Sequence, residues 1–126
     1  MRASHRALSA AEAADLGADG LVSLGAHTVT HPNLPWLSAT EQRAEIEQSK
    51  AACEALWRRP VLGFAYPHGG QSVETVRLVR AAGFACACAS DVDLVGRSAD
   101  RLVLPRVPVG DWDGEAFARR VTRAFL

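Results

Sequence analysis

Strand-like and helix-like stretches alternate along the whole of this 126-residue chain, and that alternation constrains its fold more than any single residue does. The apolar runs Leu21 to Ala26, Val61 to Ala65 and Phe84 to Ser90 are short and set off by glycine, proline or polar residues, as buried strands are. A further extended segment, Leu102 to Val109, is interrupted by Pro105 and Pro108, which lack a ladder donor and favour a sheet edge. Between the runs lie capped helices. Ser9 with Glu12 has capping-box spacing ahead of Ala10 to Leu16, and Gly17 and Gly20 end that helix. Ser38 or Thr40 caps a long helix to about Trp57, with Ile46, Cys53, Leu56 and Trp57 as its apolar stripe and Glu41, Arg43, Glu45 and Glu47 as its wet face. Ser72 caps a third helix with Val76, Val79 and Ala82 inward and Gly83 as its stop. Gly114 to Leu126 reads as a closing amphipathic helix. The expectation is one α/β domain over residues 1–126, a parallel sheet of about four strands with covering helices, too few to close a barrel.

A parallel sheet opens the C-terminal ends of all its strands onto one face, where sites of this class are built. His27 and His31, the loop Tyr66 to Gly70, Asp91 and Asp93, and Asp111 and Asp113 all fall just after strand-like runs. The two histidines stand four residues apart before Pro32, so both imidazoles can reach one point. Neutral imidazole binds zinc, iron, nickel or cobalt well, but two ligands need a third from elsewhere. Against this stands the ordinary reading of loop histidines as solvent-facing or hydrogen-bonding residues. Iron oxygenases with two histidines and a carboxylate fit the metal chemistry but not the helix–strand alternation.

Composition removes several alternatives. Fourteen basic and 14 acidic residues give a formal net charge of zero, without the basic footprint of a nucleic-acid binder. Cys53, Cys86 and Cys88 have no metal-ligand spacing and are expected as buried free thiols, Cys86 and Cys88 on one face of a strand. No apolar run is long enough for a membrane span and no signal-peptide pattern follows Met1, so the chain as written is expected in the cytoplasm.

With these residues placed, the chain resembles the polysaccharide deacetylase family, carbohydrate esterases related to the chitooligosaccharide deacetylases of nodulation. Gly25-Ala26-His27-Thr28-Val29-Thr30-His31-Pro32 is similar to the family's H-[ST]-x-x-H metal motif. Phe64-Ala65-Tyr66-Pro67-His68-Gly69 resembles its next motif, in the branch that writes it F-A-Y-P-Y-G, and Leu104-Pro105-Arg106-Val107-Pro108-Val109 resembles that branch's closing strand. The resemblance implies a partial (β/α) barrel of the polysaccharide deacetylase type, and metal-assisted removal of N-acetyl or O-acyl groups from an N-acetylated oligo- or polysaccharide. It implies His27 and His31 as ligands of a divalent metal, zinc foremost, with cobalt or nickel as alternatives. Thr28 would support their loop. The His68 backbone N–H would hold the oxyanion, with Tyr66, Pro67 and Gly69 shaping the groove, and the His68 imidazole could act as acid or extra ligand. Asp91 and Arg106 are supporting candidates.

The family's paired aspartates, which supply a third ligand and the general base, have no counterpart here, since no Asp-Asp pair occurs. Its late histidine in an L-x-x-H run is also missing, and Ala65 stands where the wider family has arginine. The chain is therefore expected to correspond to the C-terminal part of a longer family domain, and to self-associate if it folds alone. Two functions follow: a deacetylase completed from elsewhere, or a non-catalytic remnant that binds metal or sugar without turnover.

Overall fold

Three short parallel strands carry the molecule: β1 (Gly25–Ala26), β2 (Gly63–Ala65) and β3 (Cys86–Cys88), in that order across the sheet. The structure, a computed structural model, describes residues 6–17 and 20–124. The end of the expected closing helix at Leu126 lies outside the described residues. Gly25 pairs with Gly63, which pairs in turn with Cys86, and Ala26 pairs with Phe64, which pairs in turn with Ala87. Because side chains alternate along a strand, Ala26, Phe64 and Ala87 share one face and are buried there. Cys86 and Cys88 share the opposite face, as expected, but are half-buried free thiols rather than buried ones.

Helices α1 (Ala10–Asp15), α2 (Ala39–Trp57), α3 (Val73–Ala81) and α4 (Gly114–Ala124) complete the alternation. Both capping boxes form, Ser9 with Glu12 and Ser38 with Glu41, and Ser72 caps α3 through the Thr75 N–H. Local chemistry of this kind is independent of distant contacts. Helix α2 ends where Arg58 turns left-handed. The core lies where α2 and α3 cover the sheet, with Ile46, Val61, Phe64, Leu78, Val79 and Phe84 at its centre. One polar link crosses it: the Thr75 hydroxyl donates to Gln42 Oε1 at 2.7 Å, while Gln42 Nε2 donates to the Leu37 carbonyl at 3.0 Å. Both buried polar side chains are thereby satisfied, which avoids the cost of orphaned groups.

The strands are shorter than the apolar runs suggest. Leu21 is 87% exposed, and only the last two residues of Leu21 to Ala26 pair. The ladder sets the limit: β2, the partner of β1, begins at Gly63. Of Leu102 to Val109, only Leu104 forms a bridge, parallel to Cys88, before Pro105 removes the next donor. The expected fourth strand is thus a single bridge beside a three-stranded sheet. No described helix is long and apolar enough to cross a membrane.

Candidate active site

Strand β1 delivers His27 directly from buried Ala26. His27 Nδ1 lies 2.7 Å from the Ala65 carbonyl at the end of β2. A carbonyl only accepts, so Nδ1 carries the proton and Nε2 of the neutral ring keeps its lone pair. The loop then turns back through two left-handed residues that are not glycine, Thr28 (φ 63°) and His31 (φ 60°). A β-branched residue there is strained, at a cost of order 1–3 kcal/mol per residue. Hydrogen bonds hold the turn. The His31 N–H donates to Thr28 Oγ1 at 3.1 Å, while Glu45 of α2 accepts from the Val29 N–H (2.7 Å), the Thr30 N–H (2.9 Å) and the Thr30 hydroxyl (2.7 Å). The His27 and His31 rings end 4.8 Å apart, edge to face.

Beyond Pro32, a 3-10 turn at Leu34–Trp36 anchors the loop through fully buried Leu34. The second loop leaves β2 at Tyr66 and forms the 3-10 turn Pro67–Gly69, in which His68 has φ 57° and Gly69 φ 71°. The His68 ring lies 4.6 Å from that of His31, and among the described residues the His68 backbone N–H has no hydrogen-bond partner. The two loops touch at Gly70, where a Cβ would stand 2.2 Å from Asn33 Oδ1 and would force that side chain to shift. That Asn33 oxygen is buried without a partner among the described residues.

His27, His31, His68 and Gly69 are therefore gathered at the strand tips, with Thr28 supporting the first loop. Other expected positions lie elsewhere. Tyr66 is 1% exposed, edge to face with Phe64, and its hydroxyl donates to the Leu102 carbonyl at 2.7 Å. Burial above all, then the nearby Asp100 charge, pushes that phenol up to about 12 despite Arg80. Tyr66 and buried Pro67 are thus floor beneath the loop instead of groove wall. Arg106 donates from Nε to the Ala89 carbonyl and from its backbone to that of Asp91. Asp113 caps α4 through the Ala116 N–H. Among the described residues no three His, Cys, Asp or Glu side chains are placed to hold a metal ion, so neither His68 nor Asp91 completes a set with the pair. The pair itself suits such an ion: two imidazoles bound at about 2.1 Å stand with rings about 5 Å apart.

Glu45, which sequence reading placed on the wet face of its helix, is the residue that reading missed in the support of the histidine loop. Its signal was there, because Gln42, Glu45 and Ser49 fall at i, i+3 and i+7, on one stripe, and Gln42 and Ser49 are buried. Burial works to raise the Glu45 carboxyl, but the bonds from Thr30 and Val29 outweigh it and hold it below the usual value of 4.5. A depressed carboxylate stabilises the fold above its unfolded value, and that contribution disappears as pH falls through the lowered folded one. Amide exchange at Val29 and Thr30 should therefore stay slow through pH 4.5 and quicken only below it; loosening that begins above pH 5 would contradict the assignment.

Residues 3–87 match the family model described as polysaccharide deacetylase. No curated protein matches the chain. Among solved structures, the Streptococcus pyogenes deacetylase PplD in complex with acetate superposes with a TM-score of 0.83 at 20% identity, over 93% of this chain and 52% of that one. A polysaccharide deacetylase from Bacillus cereus gives 0.83 at 24% identity, over 93% and 37%. A de-N-acetylase from Aggregatibacter actinomycetemcomitans gives 0.76 at 11% identity, over 90% and 52%. The fold is common to all, and this chain spans about half or less of their lengths.

Proposed function

This chain belongs to the polysaccharide deacetylase family, and from that premise we propose that it carries the two-histidine half of a metal-dependent site for removing acyl groups from N-acetylated carbohydrate. The observation that carries the reading is the pairing of His27 and His31, rings 4.8 Å apart, with the His27 proton already committed to Ala65. That hydrogen bond fixes the tautomer and leaves the Nε2 lone pair available to a metal, the usual second-sphere arrangement of a ligating histidine. His27 and His31 would hold the ion; bound there, a divalent metal supplies an acidified water and a polarised acyl carbonyl. The His68 N–H is free to receive the negative charge that develops on the acyl oxygen, a contribution typically worth about 3–4 kcal/mol. Gly69 and Pro67 keep that N–H in place by fixing the left-handed turn around it. The acetate bound by PplD is the product such a reaction releases, which supports an acetylated substrate.

The missing carboxylates, one for the third ligand and one for the general base, would come from outside the described residues. The free edge of β1 is where a further parallel strand or a second copy of the chain would pair to bring them. A second reading, a non-catalytic remnant, is favoured by one observation: no third ligand accompanies the pair among the described residues. Chitooligosaccharide deacetylation by the purified chain with zinc or cobalt separates the two accounts of what this chain does alone. The expected result is very weak turnover or none. Robust turnover, abolished in His27→Ala, would show that the described site is already complete.

A further inference from the structure

A helix-surface glutamate ordinarily faces solvent or pairs with a cation one turn away. Glu45 does neither. Its sequence neighbours at i±3 and i±4 are Gln42, Gln48, Glu41 and Ser49, none of them cationic, and among the described residues it makes no ion pair. Instead, Oε2 accepts both the Val29 and Thr30 N–H groups while Oε1 accepts the Thr30 hydroxyl. Successive N–H groups next to a left-handed residue form a concavity that favours an anion. Here that concavity lies between Thr28 and His31, the two strained residues of the histidine loop.

We propose that Glu45 is the positioning residue of the histidine pair: its carboxylate fills the donor ring of the Val29–Thr30 turn and holds the strained loop in the shape that brings the His27 and His31 rings together. Without it, the Val29 and Thr30 N–H groups lose their acceptor, and among the described residues the only hydrogen bond left to the turn from Thr28 to His31 is the one the His31 N–H donates to the Thr28 hydroxyl. The loop relaxes, and the rings separate. Glu45 touches neither ring, so it acts through the backbone of the residues between them. The consequence for metal binding rests on the reading of His27 and His31 as ligands; the consequence for ring placement does not.

Cobalt(II) titration of the purified chain, followed by visible absorption, tests this with Glu45→Ala, Glu45→Gln and, as a control on the exposed side of the same helix, Glu47→Ala. Losing a supporting partner of a ligand typically costs about 10–100-fold in metal affinity, and Glu45→Ala is expected in that range. Glu45→Gln keeps one oxygen able to accept but turns an N–H donor toward the ring, so its loss is intermediate. Glu47→Ala binds as the unaltered chain does. An unchanged affinity in Glu45→Ala overturns the proposal, and should that variant not fold, an unchanged affinity in Glu45→Gln does so. If the unaltered chain takes up no cobalt, the metal reading fails separately. Nuclear Overhauser contacts between the His27 and His31 rings then decide: their loss in the Glu45 variants supports the positioning role, and their persistence overturns it.

Discussion

Zinc affinity in the His27→Ala and His31→Ala chains is expected to fall by more than the about 10–100-fold that losing a supporting partner costs, since on the proposed reading each variant removes a ligand itself. Either deletion leaves one imidazole of the pair, which without its partner holds a divalent ion far more weakly. The two variants differ in what else they disturb. His27 also bridges to Ala65 at the end of β2, so its removal unties the strand tips. His31 donates only its backbone N–H to Thr28, a bond that alanine keeps, although alanine accepts the left-handed φ of 60° no more easily than histidine does. His31→Ala is therefore the cleaner deletion. Isothermal titration with zinc, beside thermal unfolding of each metal-free variant, separates ligand loss from loop damage. Equal zinc affinity in His31→Ala and the unaltered chain would remove the pair from the metal site.

The largest effect on stability is expected from Gly69→Ala. Gly69 sits at φ 71°, where an L side chain is strained by about 1–2 kcal/mol. Its Cβ would also fall 2.5 Å from Ser90 Cβ and Oγ and 2.8 Å from Ser90 N, and a backbone atom at the end of the sheet cannot swing aside. Overpacking of that kind adds about 1–3 kcal/mol. The sum, about 3 kcal/mol, is a large part of the stability of a small domain. Gly96→Ala is the comparison: a Cβ there meets nothing within 4 Å, and its effect should stay within about 1 kcal/mol. Urea unfolding of the two variants measures both. Similar midpoints would mean that the 67–69 turn is not locked against Ser90. Because the turn also carries the His68 N–H, Gly69→Ala is expected to displace the proposed oxyanion donor along with the fold.

What could be read in the sequence was what depends on neighbours along the chain. The capping boxes at Ser9 and Ser38, the αL stop at Gly83 and the delivery of His27 by a strand end are all local, and all are present. Strand length was misjudged because a ladder needs a partner: Leu21 and Val22 are apolar enough for a strand, yet β2 pairs with β1 only from Gly63 onward. Tyr66 was misassigned by following its motif instead of its alternation. It lies two residues from buried Phe64, on the same face, and packs against it at 5.3 Å. Glu45 escaped because acidic residues on a helix are normally solvated, and the three donors that claim it come from a loop 15 residues earlier. The approach of His68 to His31 joins residues from separate strand ends, a contact that spacing cannot encode.

At the centre of the account is one shared cation between two imidazoles at the tip of β1. X-ray absorption at the metal edge of the zinc-loaded chain reads the coordinating atoms directly. Two imidazole nitrogens at about 2.0–2.1 Å, with oxygen in the remaining positions, is the expected result. A spectrum with one imidazole or none, or one that His31→Ala leaves unchanged, would contradict it.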